Sequence, residues 1–406
     1  MPLGILTPLL VAAALLWALV GLFVLVDRAR YDAHTTRLDR ARKELARTNP
    51  SLEEHARDVA RRIGPTAFQQ LVLEGLPHDV ETALARQVRA RAGEDRLRRR
   101  ADGSESGGVW RRIEALQVLA SSAAADAYPA LDTAVRSGNP QLAVAAIRML
   151  TMLGGREAAV VLIKALRDGA YSRARLAAAI DRLPALPADL LTPLFESAEP
   201  PARFWGARLA GRFSAREWTP TVRRLLDDGS PLVRRGAVEA LAAVGDAGDR
   251  ELLLARLADA TAFVRAHAAR ALAASADLSR AQSSDENVAA ALVTLLADRE
   301  WIVRASARRA LRTIGKPAIA PLVRAMSHAD RFAANSAAEV LYSSGAITEL
   351  ARQVLVAPTS AFEATPILQR YMAVAGAHLA QALLSGFTDS ERVTLMRYLD
   401  ARTATA

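Results

Sequence analysis

The amino-acid sequence repeats itself at intervals of about thirty residues, and no other feature constrains the fold as strongly. Three stretches show it best: SPLVRRGAVEALAAVG from Ser230, TAFVRAHAARALAAS from Thr261 and EWIVRASARRALRTIG from Glu300. Each contains a Val-Arg pair, a small residue three positions after the Arg, and a closing Ala-Leu. A unit of this length covers its apolar face only by stacking on its neighbours. The sequence therefore predicts a solenoid.

The shared template recurs in eight copies, whose positions we count from the Arg of the Val-Arg pair as position 0. Position 0 is occupied by Arg112, Ala143, Arg173, Arg203, Arg234, Arg265, Arg304 and Ala334. The intervals are 31, 30, 30, 31, 31, 39 and 30 residues, and a polar insertion around residues 275–287 accounts for the long one. Residues three, four and seven apart share one helix face, so positions +3 and +7 are predicted to face the core.

Each template stretch is predicted to be the second helix of a helix pair. Residues able to cap a helix stand at position −4 in several copies: Asn139, Glu199, Ser230, Thr261 and Asp330. Proline follows three of them, at the first helical position, where its missing N–H costs least. Apolar helices are predicted before the template stretches, from Arg156, Arg250, Asn287 and Lys316.

Composition points the same way. Apolar residues make up 51% of the chain but aromatic residues only 5%, so Ala and Leu dominate, as suits closely packed helices. No stretch shows the apolar–polar alternation of a β-strand. We therefore predict an all-α fold.

The template resembles the HEAT repeats, specifically the short bacterial kind also called phycobilisome-lyase-type HEAT-like repeats. The motif stands here as Asp228…Val233-Arg234…Ala240-Leu241, Asp259…Val264-Arg265…Ala271-Leu272 and Asp298…Val303-Arg304…Ala310-Leu311. The resemblance covers roughly residues 106–357 and implies an armadillo-like, right-handed α-solenoid whose second helices line a concave face. It also implies a ladder of Asp and Arg between successive units. Arg234, Arg265 and Arg304 are thus expected to be structural, with breaks at Ala143 and Ala334.

The N-terminal region is expected to anchor the chain in a membrane. Residues 3–26 carry no charge and are long enough to span a bilayer as one helix. Arginines follow this stretch and none precedes it, so the positive-inside rule predicts a single-pass protein with its N-terminus outside and the solenoid in the cytoplasm. A charged helical juxtamembrane region is predicted at 27–105, including one helix with an apolar face from Leu71 to Leu84. HEAT-like repeats are predicted at 106–357 and a C-terminal helical cap at 358–406.

A cluster of arginines closes the juxtamembrane region. It includes Arg89, Arg91, Arg96, Arg98, Arg99 and Arg100. Two interpretations stay open: a solvated helix end, or a patch that contacts anionic headgroups or an acidic partner. The chain's net charge of +10 favours an acidic partner or an anionic surface without identifying which one.

The sequence carries no motif of a catalytic, cofactor-binding or metal-binding site. It contains no glycine-rich phosphate loop, zincin helix, EF-hand loop or nucleophile elbow. The six histidines are scattered and no two stand three or four residues apart. Cysteine is absent, which excludes disulfides and thiolate metal sites. The chain is therefore predicted not to be an enzyme and to need no cofactor.

The main functional hypothesis is a membrane-anchored scaffold that binds a protein partner through the solenoid surface. Contacts are expected from template-helix residues that point away from the stacking face: Arg235, Glu239, Arg270, Arg308, Arg309 and Arg312. One alternative is an accessory or lyase-like factor for an enzyme. Another is binding of anionic lipid or nucleic acid through basic patches. Trp110, Trp205 and Trp301 lie near template-helix starts, but we interpret them as filling gaps between units, and a membrane tether disfavours nucleic acid.

Overall fold

The computed structural model describes residues 28, 33, 35–44, 52–105, 107–123, 126–275, 282–356 and 361–400. These residues contain helices and connecting turns and no β-strand, which confirms the all-α prediction. The chain divides into two compact units, Met1–Leu186 and Pro187–Ala406. The four segments predicted from the sequence remain predictions.

The first unit is helical at residues 35–44 and then contains nine helices between residues 52 and 180. They are α1 (Leu52–Ala60), α2 (Pro65–Leu73), α3 (His78–Ala92), α4 (Glu94–Asp102), α5 (Val109–Ser121), α6 (Ala127–Val135), α7 (Pro140–Leu153), α8 (Gly155–Asp168) and α9 (Arg173–Ile180). Second helices α5, α7 and α9 pack against one another in sequence order, with first helices α6 and α8 beside them.

The second unit continues the helix pairs. Its helices are α10 (Thr192–Phe195), α11 (Pro200–Arg212), α12 (Thr219–Leu225), α13 (Pro231–Val244), α14 (Arg250–Ala255), α15 (Ala262–Ser275), α16 (Gln282–Thr294), α17 (Trp301–Ile314), α18 (Ile319–Ala325), α19 (Arg331–Ser343), α20 (Ala346–Val356), α21 (Ala361–Val374), α22 (Ala377–Ser385) and α23 (Asp389–Asp400). Short 3₁₀ turns extend several first helices, at Ala188–Leu191, Arg216–Trp218, Ala247–Asp249, Arg256–Ala258, Leu295–Ala297 and Lys316–Ala318. Second helices α11, α13, α15, α17 and α19 each pack against the next. This stacking gives the unit its solenoid architecture.

The template positions occupy the places that helical periodicity predicts. All eight residues at position +7 are buried: Leu119, Leu150, Ile180, Ala210, Leu241, Leu272, Leu311 and Leu341. So are all eight at position +3: Ala115, Ala146, Leu176, Gly206, Ala237, Ala268, Ala307 and Ala337. Alternating small and large residues let neighbouring helices interlock, since ridges on one fit grooves on the next. The predicted register of the repeats is confirmed.

Two glycines bring α11 and α13 into close contact. A Cβ atom built on Gly211 would lie 2.9 Å from Ala240 Cα. One built on Gly236 would lie 2.7 Å from Phe204 Cδ2 and 3.2 Å from the Phe204 carbonyl oxygen. The two carbon–carbon separations, 2.9 and 2.7 Å, are shorter than carbon–carbon contacts allow. The absent side chains therefore set the spacing of these two second helices.

The helix predicted from Leu71 to Leu84 is wrong, because the structure has two helices there. α2 ends at Leu73 and α3 begins at His78, so Leu71 and Leu84 are buried on different helices. Gly75 has a φ of +94°, and Pro77, which has no N–H, stands directly before α3. Both residues favour a turn over a continuous helix.

The predicted membrane localisation needs correction. Within the described residues, no helix has the length and apolar character to cross a membrane. The longest helix described in full, α3, has 15 residues. At about 1.5 Å per residue it is roughly 22 Å long, short of a hydrocarbon core of about 30 Å. This finding overturns the assignment as a single-pass membrane protein with a cytoplasmic solenoid. The predicted span itself, residues 3–26, lies outside the described residues.

Candidate interaction surface

Partly buried ion pairs join successive repeats of the second unit. The guanidinium of Arg234 donates hydrogen bonds from Nε and Nη2 to the Asp259 carboxylate, at 2.8 and 3.0 Å. Arg203 binds Asp228 with the same two distances, and Arg265 binds Asp298 at 2.8 Å twice. In each case position 0 of one repeat binds position −6 of the next. Such bidentate pairs have fixed geometry, so they set the rotation between neighbouring repeats.

The aspartates of these pairs also hold the turns that precede the second helices. Asp228, Asp259 and Asp298 each accept a hydrogen bond from the backbone N–H two residues later, at 2.8 to 2.9 Å. The arginines donate in addition to carbonyl oxygens of their own turn, as Arg234 does to the Asp228 oxygen at 2.9 Å. Each aspartate thus fixes a turn and a repeat junction together.

The extent of this ladder differs from the sequence prediction at both ends. Arg203, in a repeat with a weak motif, is a member. Arg304 hydrogen-bonds the Asp298 and Arg299 carbonyl oxygens, but the next repeat has His328 at position −6 instead of an aspartate. The Nδ1 atom of His328 accepts from the Asp330 N–H, so it holds the turn without providing a carboxylate. Among the described residues the ladder therefore ends at Asp298.

The ion pairs shift the acidity of both partners. Burial alone would raise the pKa of Asp259, but the hydrogen bond from Arg234 and the Thr261 N–H outweigh it and lower that pKa. The pKa values of Asp228 and Asp298 are lowered by the same combination of causes. Hydrogen bonding to the carboxylate raises the pKa of Arg234. The pairs are therefore fully charged at neutral pH.

The exposed side of each second helix repeats a second pattern. Positions −2 and +5 are two helical turns apart and so share one side. In three successive second helices this side combines Phe263 with Arg270, Ile302 with Arg309, and Phe332 with Glu339. We call this side of α11 to α19, with the partly and fully exposed side chains next to positions −2 and +5, the outer face. Phe332 is 77% exposed, and Trp301 beside Ile302 is 67% exposed. Large apolar side chains thus stand in solvent at equivalent places along the stack.

Glu239 is the centre of a charge cluster on the outer face. Its carboxylate lies 3.0 Å from His267 Nε2, 3.6 Å from Arg235 Nε and 3.7 Å from Arg208 Nη1. Burial of this carboxyl opposes ionisation, but the hydrogen bond with His267 and the charges of Arg235 and Arg208 lower its pKa. The cluster joins three successive second helices, because Arg208 belongs to α11, Arg235 and Glu239 to α13, and His267 to α15.

Aromatic rings support two of these arginines. The Arg235 guanidinium carbon lies 4.7 Å from the centre of the Phe204 ring, and that of Arg208 lies 5.4 Å from the centre of the Trp205 ring. Phe204 and Trp205 contact each other edge to face, with centres 5.2 Å apart. Cation–π contacts restrict guanidinium motion. The cluster is consequently a preorganised part of the surface.

The six residues predicted to contact a partner fall into a paired and an unpaired set. Arg235 pairs with Glu239, and both Arg308 and Arg312 pair with Glu339. Arg312 also donates to Ser343 Oγ at 2.9 Å. Arg270 and Arg309 are exposed and form no ion pair with any residue of the described ranges. Arg270 lines a shallow groove of about 340 Å³ together with Glu239 and His267.

The outer face includes residues that the sequence reasoning passed over. Phe263, Ile302 and Phe332 were not singled out, nor were Arg208 and His267. The apolar residues recur two positions before the template Arg, and this recurrence was a usable signal. The approach of His267 to Glu239 depends on the stacking of α13 on α15, so no pattern within one repeat reveals it.

The arginine cluster of the first unit is largely paired within the chain. Arg89 and Arg98 contact Asp126 and Glu94. Arg96 and Arg100 lie 3.4 and 3.0 Å from Glu105. Arg91 donates to the Ala60 carbonyl oxygen at 2.6 Å. Arg99 alone of the six has no such side-chain contact within the described part of the chain. Much of the positive charge of the cluster is thus paired with nearby carboxylates of the same chain.

No group of three or more His, Asp or Glu side chains in the described ranges is arranged to hold a metal ion. The outer-face contacts are ion pairs, cation–π contacts and exposed apolar groups. Such a surface is chemically suited to binding another macromolecule by shape and charge.

Comparison with known proteins identifies the repeats. Residues 188–273 match the family model of HEAT repeats, so the predicted HEAT-repeat domain is confirmed in this part of the chain. The match is to HEAT repeats in general and supports neither the bacterial lyase-like type nor a membrane anchor. No curated protein matches the sequence.

Several solved structures are similar to this chain at low sequence identity. One engineered protein is 19% identical with a TM-score of 0.32, over 89% of this chain and 98% of that chain. The structure of Kap121p is 13% identical with a TM-score of 0.47, over 84% of this chain and 43% of that chain. The karyopherin Kap121p bound to the SUMO protease Ulp1p is 12% identical with a TM-score of 0.38, over 84% and 49%. This chain thus spans less than half of the length of Kap121p.

Proposed function

We propose that this chain is a non-catalytic HEAT-repeat scaffold that binds a protein partner through the outer face of its second unit. The observation that carries the proposal is the row of exposed apolar side chains at Phe263, Trp301, Ile302 and Phe332. These residues start three successive second helices that stack on one another. In HEAT solenoids the second helices line the concave surface. The resemblance would therefore place the outer face, which is the exposed side of these second helices, on the concave surface of the solenoid.

Apolar side chains exposed at equivalent places keep apolar surface in contact with water, which is unfavourable. Binding of a partner would remove that contact. Single exposed apolar residues are normal, but contiguous patches mark interaction sites. Buried aromatic anchors supply much of the energy of protein interfaces. Trp301 and Phe332 are large enough to act as such anchors. Each exposes most of its surface, which binding of a partner would bury.

Charge refines the nature of the partner. Arg235, Arg308 and Arg312 already contact Glu239 or Glu339, so in this proposal they shape the surface and contact the partner at its rim. Arg270 and Arg309 lie two helical turns after Phe263 and Ile302, and neither forms an ion pair with a described residue. Carboxylates of the partner would complement them. The proposed partner therefore presents apolar side chains next to acidic ones.

Site-specific crosslinking followed by an affinity measurement tests the proposal. A photo-crosslinking amino acid at position 332 should trap the partner in the native cell, and mass spectrometry would identify it. With the purified partner, R270E/R309E should weaken binding by about tenfold or more, since like charges would replace attraction. F332A should weaken it by a similar factor.

A matched control uses R224E/R324E, which makes the same change of charge on exposed residues of first helices α12 and α18. This variant should bind the partner as the unaltered chain does. Equal weakening by both double variants would show that only net charge matters. Unaltered binding by R270E/R309E and F332A would show that the outer face is not the binding surface.

A further inference from the structure

A groove on the first unit has the properties of a second, separate binding site. Its volume is about 570 Å³, and it crosses α2, α5, α7 and the start of α9. Its lining includes the large apolar residues Leu73, Trp110, Ile113, Val144, Met149 and Tyr171. Trp110 is 65% exposed and Leu73 is 59% exposed, so the groove leaves a large apolar area in contact with solvent.

The groove arises from the repeat itself. Trp110 and Tyr171 occupy position −2 of their repeats, and Ile113 and Val144 occupy position +1. Positions −2 and +1 are three residues apart and so lie on the same side of a second helix, where Trp110 and Val144 are exposed and Ile113 is buried. In the first unit the sequence places these large apolar residues on neighbouring second helices. The repeat therefore supplies the apolar lining of the groove.

The charges at the groove are of one sign. Arg148 and Arg175 line it, both are exposed, and neither forms an ion pair with a described residue. Among the described residues, no Asp or Glu lines the groove. Two cations beside an apolar surface attract a ligand that carries a carboxylate close to an apolar group.

The remaining polar lining suits a peptide backbone. Gln69, Gln117 and Gln141 line the groove, and an amide side chain offers both a donor and an acceptor. Three second helices at interaxial distances of about 8–10 Å span roughly 16–20 Å. An extended peptide covers that length with about five or six residues, at roughly 3.3 Å each.

We infer that this groove binds a short peptide segment of a partner protein. An apolar side chain of the segment lies between Trp110 and Val144, and a neighbouring Asp or Glu pairs with Arg148 and Arg175. The glutamines hydrogen-bond the peptide backbone. The site uses no residue of the second unit, so it stands independently of the function proposed for the outer face.

A random dodecapeptide library displayed on phage tests this inference. Phage would be selected on the full chain and then depleted on W110D/V144D, which changes two exposed groove residues. Peptides that survive depend on the apolar lining. We expect them to combine a Leu or aromatic residue with an Asp or Glu within about four positions, the reach that one groove length allows.

Synthetic copies of these peptides would then be measured by fluorescence anisotropy. R148E/R175E should weaken their binding by about tenfold or more, because the charges then repel. R86E/R182E, with the same charge change on exposed residues outside the groove, should bind normally, as should R270E/R309E. Circular dichroism should show unchanged helicity in each variant. An absence of surviving peptides, survivors without acidic residues, or unchanged affinity in R148E/R175E would overturn the inference.

Discussion

Arg265 and Asp298 are 33 residues apart, yet they form the same two hydrogen bonds that Arg234 forms with Asp259 across 25 residues. The polar insertion around residues 275–287 lies between the first two. Since the donor–acceptor distances agree to within 0.2 Å, the insertion leaves the junction between these repeats unchanged. The second helices and their ion pairs, and not the length of the connection, determine how the repeats stack.

Removing one member of this pair should destabilise the second unit. We expect R265A to lower the free energy of unfolding by about 3 kcal/mol, because Asp298 is then left buried without its counter-charge. R265A/D298A should recover part of that loss, since no isolated charge remains. Urea unfolding followed by circular dichroism measures both. R304A is the control: within the described part of the chain, the partners of the Arg304 guanidinium are two carbonyl oxygens, and we expect a loss of about 1 kcal/mol. Equal losses in R265A and R304A would contradict the structural role of the carboxylate.

The same pairs make stability depend on acidity. The folded-state pKa values of Asp228, Asp259 and Asp298 lie below their ordinary value of about 3.9, so the unfolded chain takes up protons first as pH falls. Their contribution is fully present above that value and is lost as pH falls through the lower folded-state values. We expect the Tm difference between the unaltered chain and D298N to shrink as pH decreases from about 6 to 3. A Tm difference that stayed constant over this pH range would contradict a charge-dependent contribution of the Arg265–Asp298 pair to stability.

The close approach of α11 and α13 should be sensitive to a single methyl group. G211A would place a carbon 2.9 Å from Ala240 Cα, which is a backbone atom and cannot move alone. We expect a loss of about 1–3 kcal/mol in the free energy of unfolding, as overpacking of a core typically costs. Thermal unfolding checks it. G229A is the control because a Cβ there meets nothing within 4 Å. A stabilised G211A would show that the helices can separate at little cost.

Helix caps at position −4 should differ between repeats. The Asp330 carboxylate accepts hydrogen bonds from the Phe332 and Ala333 N–H groups at the start of α19. Glu300, at the same position of α17, caps nothing with its side chain. We expect D330A to cost about 1 kcal/mol and E300A only a few tenths. Unfolding in urea of the two variants provides the comparison, and similar losses would mean that the cap adds nothing.

Much of the fold could be predicted from the sequence because the signal is local. Ala268 and Leu272 lie on one helix face by periodicity alone, and the structure buries both. A ladder of Arg and Asp between repeats was expected. Which aspartate each Arg binds depends on how two helix pairs stack, and the pattern inside one repeat does not contain that information. The ladder ends because position −6 of the last repeat is His328 and not an aspartate. The sequence shows this only once it is known that each Arg binds position −6 of the following repeat.

The candidate surfaces were harder to predict. Arg308 and Arg312 were expected to point away from the stacking face and contact a partner, but Glu339 of the following repeat contacts both. The break between Leu73 and His78 was missed because apolar spacing alone suggested one helix, while Gly75 and Pro77 between them carried the contrary signal. Contacts between repeats require three-dimensional stacking, which a pattern inside one repeat does not contain.

The change of ion pairs after Arg265 has a mechanical consequence. From Arg203 to Asp298 the repeats are joined by pairs that are mostly shielded from solvent, whereas α17 and α19 are joined by pairs of Arg308 and Arg312 with Glu339, whose side chains are about one-third or more exposed. Exposed pairs resist separation weakly. A pulling force along the second unit would therefore part the stack first between α17 and α19. The helices from α19 onward would be released as a group, and the repeats before them would continue to bear the load.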